Sequence, residues 1–176
     1  KRLLLSICFF LFVNYLLAQS IDYTYTERGG NVIVTGLANA NVTELVIHDF
    51  LPGTTKPITE IREQAYKGKN LTSVVIGNNV TKIGKQAFQN CNRLTSITFL
   101  GENAPDFGNN VFTNANITSV NMPIGSTGYD ILSNYIPNYN SCTKNYQIKQ
   151  GETYTLSSSL VLNANTALDN KGLLVI

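Results

Sequence analysis

The sequence predicts a repeat solenoid, in which short coils stack in register and each contributes one strand to a parallel sheet on one face. Three observations carry this. Residues 71–93 and 94–116 are two 23-residue copies, and both open on Leu-Thr-Ser followed by an alternating apolar pair. Leu71, Val74 and Ile76 set an apolar phase that recurs in Leu94, Ile97 and Phe99, upstream in Val42, Leu45 and Ile47, and downstream in Ile117, Val120 and Met122. The second half of each copy is patterned too: Val80-Thr81-x-Ile83-Gly84-x-x-Ala87-Phe88 matches Ile58-Thr59-x-Ile61-x-x-x-Ala65-Tyr66, with a degraded version in Ala104-Pro105-x-Phe107-Gly108-x-x-Val111-Phe112. Self-similarity at a fixed period of this size marks units that cannot bury an apolar edge alone and must stack to do so.

The chain begins with a separate signal. Lys1-Arg2 is a charged start, Leu3 to Val13 is apolar but for Ser6, and Ala18 is a small residue at the expected cleavage point. Residues 1–18 therefore read as a secretory signal peptide, too short for a stable membrane span. Cys8 follows Ile7 rather than a small residue, which does not fit a lipoprotein anchor.

Residues 19–41 are expected to form a β-hairpin cap. Two alternating β-prone runs flank Gly29-Gly30-Asn31, a tight-turn signal. Placed at the end of an array, such a hairpin covers the open edge of the first coil. The repeats with their closing segment are assigned to 42–136. The first coil, 42–70, has 29 residues against 23 for its neighbours, an excess of six centred on 49–57. Pro52, Gly53 and Pro57 mark this excess as a loop outside the ladder. It is either a contact loop on one side of the solenoid or an ordinary first-coil extension.

Val80 to Ile97 runs V-T-x-I-G-x-x-A-F-x-x-C-x-x-L-T-S-I, and with these residues the chain resembles the BspA-like leucine-rich repeat family over roughly 22–136. The resemblance implies a right-handed solenoid with a short parallel sheet on one face. It also implies a secreted or surface protein of bacteria or some protists that binds other proteins, host matrix proteins among them. The family's closing cap is similar to the stretch holding Pro123, Gly125, Ser126 and Tyr129. Here Ser126 or Thr127 would cap a short helix that holds Tyr129, Leu132 and Tyr135 against the last coil. Residues 137–150 are polar and out of phase, and read as a linker. Residues 151–176 show short alternating runs between turn residues and read as a β-rich segment. Its apolar end, Gly-Leu-Leu-Val-Ile, suggests a truncated piece or an edge covered by a further segment or partner.

Charge bears on partners. The chain holds 13 basic and 11 acidic residues, and losing Lys1 and Arg2 with the signal leaves 11 of each. A neutral balance argues against nucleic acid or an anionic membrane. Arg62, Lys67, Lys69, Lys82, Lys85 and Arg93 fall in the outer half of the coils, as a solvated convex face. Cys91 and Cys142 remain after the signal. An oxidising compartment permits a bridge, but Cys91 sits where family repeats carry a small core thiol, so a disulfide is not the reading taken.

The chemical inventory is thin. There is one histidine, His48, so no two-histidine metal site can form. The serines lack a G-x-S-x-G elbow, the glycines lack a phosphate-loop spacing, and Asp106-Phe-Gly-Asn-Asn lacks calcium-ligand spacing. No catalytic residue, metal or cofactor is assigned. The repeat itself supplies the candidate site: outward strand positions Glu44, Val46 and His48; Ser73 and Val75; Ser96, Thr98 and Leu100; Ser119 and Asn121. They fall in columns suited to a flat extracellular protein or glycan ligand, although outward Ser and Thr are also ordinary strand surface. The sequons at Asn41, Asn70, Asn79 and Asn116 are accounted for by the repeat. The function expected is a secreted or cell-surface, non-catalytic protein that binds or adheres through the sheet face. A structural spacer or targeting module of a larger surface protein is the alternative. A β-helical carbohydrate-active enzyme trails, because no cluster of acids lines one face.

Overall fold

In the computed structural model the described residues are 21–147, 167–168 and 173–175. The proposed signal peptide and most of 151–176 lie outside them. The solenoid expected from the repeat is present. Chain order runs β1 (Tyr23–Arg28), β2 (Asn31–Leu37), β3 (Glu44–Ile47), β4 (Ile58–Ile61), β5 (Ser73–Ile76), β6 (Lys82–Ile83), β7 (Ser96–Phe99), β8 (Asp106–Phe107), β9 (Ser119–Pro123), two 3-10 turns (Tyr129–Asn134 and Tyr139–Ser141), β10 (Thr143–Gln147), β11 (Ala167–Leu168) and β12 (Leu173–Val175). The strands form a seven-stranded sheet in the order β11-β12-β10-β9-β7-β5-β3 and a five-stranded sheet in the order β1-β2-β4-β6-β8. Each coil thus feeds both sheets in turn.

The repeated Thr locks the coils together. Backbone N–H groups of Thr72, Thr95, Thr118 and Thr143 donate to the carbonyls of Thr43, Thr72, Thr95 and Thr118 at 2.7, 3.0, 2.9 and 2.8 Å. The hydroxyls of Thr72, Thr95 and Thr118 donate to the same carbonyls at 3.1, 3.3 and 3.3 Å. On the opposite corner Tyr66 N–H donates to Ala87 O at 2.8 Å, and Phe88 N–H to Val111 O at 3.0 Å. That corner needs left-handed backbone at two positions per coil. Gln64 and Gly68, Gln86 and Asn90, and Asn110 and Asn114 all have φ between 58° and 69°. Gly and Asn accept this conformation readily, and the amides pair between coils: Gln64 Nε2 donates to Gln86 Oε1 and Asn114 Nδ2 to Asn90 Oδ1, both at 2.8 Å.

The core is a column. Leu71 and Leu94 are fully buried and Ile117 nearly so, each just ahead of its strand. Tyr66, Phe88 and Phe112 stack with centroids 5.2 and 5.7 Å apart and planes within 14°. The second halves of the coils therefore return to the core as the sequence implied. What the sequence did not show is that they also make a second parallel sheet, since β6 and β8 have two residues each and carry no readable alternation. All six of the basic residues assigned to the outer half of the coils are exposed.

Four local expectations are modified. The hairpin forms, with φ of 59° and 83° at Gly29 and Gly30, but β2 pairs with β4. It closes the five-stranded sheet and leaves β3 at the edge of the other. The loop at 49–57 is a small hairpin of its own, closed by a bridge between Phe50 and Pro57. It returns Leu51 to the core and leaves Phe50 48% exposed. The turn at Tyr129–Asn134 starts from Gly128 at φ 79° with no side-chain cap. Ser126 and Thr127 do not cap it, and the Thr127 hydroxyl pairs with Asn103 Oδ1 instead. The turn still packs as expected: Tyr129 and Leu132 are buried, and the Tyr129 hydroxyl donates to Gly101 O at 2.9 Å. Finally, the span 137–150, read as a linker, contains β10, which pairs with β9 in parallel from Thr143 to Gln147. Backbone pairing needs no apolar period, so a polar sequence concealed this strand.

Candidate functional site

The columns read from the sequence are real registers. Glu44 pairs with Ser73, Ser73 with Ser96 and Ser96 with Ser119; Val46 pairs with Val75, Val75 with Thr98 and Thr98 with Asn121. Their neighbours Leu45, Val74, Ile97 and Val120 are buried, so strand alternation turns the paired positions outward. Glu44 and Val46 on the edge strand are exposed, Val46 by 42%, and the others are half-buried by the strands beside them. Within the face, Asn121 Nδ2 donates to Thr98 Oγ1 at 2.9 Å.

The third column is less uniform. His48, Gly77 and Leu100 follow β3, β5 and β7. A Cβ on Gly77 would lie 2.7 Å from the carbonyl carbon and oxygen of His48, so only glycine fits this approach and the column has a gap in the middle. His48 is half-buried, with Nδ1 3.2 Å from the hydroxyl of Tyr23. The structure thus ties His48 to the hairpin as well as placing it at the end of the face. Burial pushes the Tyr23 hydroxyl up to about 12. Leu100 is half-buried, and its N–H donates to Ile76 O at 2.9 Å.

The arrangement is a contact surface of paired, mostly short side chains along the strands. Glu44 is the one carboxylate among the ten positions. Among the described residues no three His, Cys, Asp or Glu side chains are grouped to hold a metal. Among the described residues both thiols are free and buried: Cys91 Sγ donates to Tyr66 O at 3.1 Å and Cys142 Sγ to Ile117 O at 3.2 Å. Burial raises both, Cys91 to about 11, which suppresses the reactive thiolate.

Two surface features escaped the sequence reading. One is Phe50, presented by the first-coil hairpin at the end of the exposed edge strand; its bulk between Asp49 and Pro52 was the available signal. The other is a recess of about 410 Å³ beside β10, with Tyr139, Lys144 and Tyr146 in its wall. It had no signal, because its residues come from three separate segments.

Comparison with known families matches residues 59–168 to a BspA type leucine rich repeat region, in six copies. No curated protein matches the chain. Among solved structures, a leucine-rich repeat protein from Bacteroides capillosus is 21% identical, with 60% of this chain and 96% of that chain covered and a TM-score of 0.44. A leucine rich cell surface protein from Faecalibacterium prausnitzii is 19% identical over 62% of this chain and 37% of that one, with a TM-score of 0.47. The leucine rich repeat protein of T. pallidum is 19% identical over 60% of each, with a TM-score of 0.43. Among the described residues no helix is long and apolar enough to cross a membrane.

Proposed function

The chain belongs to the BspA type leucine-rich repeat family, and from that premise we propose that it is a secreted or cell-surface, non-catalytic binding protein whose outward sheet face contacts an extracellular protein or glycan. The observation that carries this reading is the register of Glu44-Ser73-Ser96-Ser119 and Val46-Val75-Thr98-Asn121. It builds one continuous surface of short side chains, which lose little conformational freedom on contact.

The size of that surface sets the affinity. From β3 to β9 there are three strand steps, which at ~4.8 Å each span about 14 Å, and four residues along a strand add about 13 Å. The projected face is therefore about 190 Å², well under the ~800 Å² per partner of a stable interface. A single chain binds weakly through this face alone. Strong attachment comes from Phe50 and the rim contributing area, or from many copies acting together.

The test is binding of the chain to panels of matrix proteins and glycans, with a repeat-scrambled chain as control. Val46→Asp, Val75→Asp and Leu100→Asp each put a charge on the face and are expected to weaken binding tenfold or more, about 1.4 kcal/mol. Binding unchanged in all three variants rules the face out.

A further inference from the structure

The inward column of the seven-stranded sheet changes character at its last parallel pair. Leu45, Val74, Ile97 and Val120 stand in register and are buried. The next position is Lys144. A cation in a core column is costly unless it reaches water or a partner, and Lys144 is half-buried with its Nζ 4.5 Å above the ring of Tyr139. It makes no ion pair among the described residues. The apolar interior therefore gives way here to the recess of about 410 Å³.

We propose that this recess is a binding site for a neutral saccharide unit, separate from the outward sheet face and independent of that face's role. Its wall includes Asp130, Ser133, Tyr139, Asn140, Lys144 and Tyr146. These give acceptors in the carboxylate and amide oxygens, donors in the ammonium and amide nitrogens, and aromatic surface in the half-buried Tyr146. A sugar ring matches this mixture, because each hydroxyl both donates and accepts while the C–H face packs on an aromatic ring. Other small-ligand classes match it less well. One acid and one cation cancel, so a polyanion such as a nucleotide finds no excess of positive charge. An acyl chain would leave the carboxylate, amide and ammonium desolvated and unpaired. The volume falls in the range of small-ligand pockets and is far too small for a folded partner.

The test is saturation-transfer NMR and titration of the full chain with methyl glucoside, methyl galactoside, methyl N-acetylglucosaminide and free glucuronate. Asp130 and Asn140 are exposed, so Asp130→Asn and Asn140→Ala leave the core intact, and an unchanged melting curve confirms it. The expected result is binding of at least one neutral glycoside, weakened about tenfold by either substitution, the loss of one good hydrogen bond. Val46→Asp on the outward face leaves that binding unchanged. The proposal is overturned if no neutral glycoside binds, if binding is indifferent to both substitutions, or if only glucuronate binds.

Discussion

Gly84 gives the sharpest test of how the coils stack. Its φ lies outside the left-handed region, so alanine is allowed there by its own backbone. Reduced freedom of the unfolded chain alone would make Gly84→Ala stabilising by ~0.4–1 kcal/mol. Packing reverses that sign. A Cβ at Gly84 would sit 2.4 Å from the Glu63 nitrogen and 2.8 Å from Arg62 C and Glu63 Cα, against a comfortable separation of about 3.5 Å. All three are backbone atoms and cannot swing aside. The coils would have to part by about 1 Å, and Gly84 N–H to Ile61 O at 2.8 Å and Gln64 N–H to Lys85 O at 2.9 Å hold them together. Overpacking costs ~1–3 kcal/mol and weakening two ladder bonds adds ~1–2 kcal/mol. The expected net loss is about 2–4 kcal/mol, a large share of a typical domain's stability. Urea unfolding followed by far-ultraviolet circular dichroism should show a midpoint lower by about 1–2 M. Gly108→Ala behaves alike, since its Cβ would meet Lys85 N at 2.4 Å. Gly36→Ala is the control, with its nearest atom at 3.4 Å. A Gly84→Ala chain as stable as the parent, or more stable, refutes the close-approach argument.

Tyr66 is fully buried and its hydroxyl has no partner among the described residues. Tyr66→Phe keeps the stack on Phe88 and removes a desolvated donor, so a gain of about 1 kcal/mol is expected in thermal melts. Phe88→Ala removes the middle ring of the Tyr66-Phe88-Phe112 stack and should cost ~3–5 kcal/mol in urea unfolding. Alkaline pH should destabilise the chain. Cys91 is raised from 9.0 to about 11 by burial, so above pH 9 the unfolded state sheds a proton that the folded state keeps. The stability present below pH 9 falls through pH 11, by about 2–3 kcal/mol from this group. Cys91→Ala should flatten part of that decline in urea midpoints measured across the range.

Much of the architecture was legible because a stacked coil writes its contacts at one fixed spacing. Leu71, Leu94 and Ile117, and the outward pairs from Glu44 to Ser119 and from Val46 to Asn121, could be placed by counting alone. Repetition of Thr43, Thr72, Thr95 and Thr118 was equally visible in the letters, but its meaning was not. That the hydroxyls of Thr72, Thr95 and Thr118 each reach the carbonyl of the coil before is a fact about distance between coils. His48 illustrates the same limit: its strand position was readable, while the contact with Tyr23, 25 residues earlier, was not.

By itself, then, the order of residues determined the repeat, its phase and the side of β3, β5, β7 and β9 that faces water, because all three depend only on spacing along the chain. Tertiary structure decided which sheet the hairpin closes, that β10 joins β9, that Gly77 and Gly84 leave no room for a side chain, and that Lys144 opens a recess where the core column ends. Those outcomes depend on how far apart neighbouring coils lie and on what occupies the gap between them, and such distances exist only once the coils are stacked.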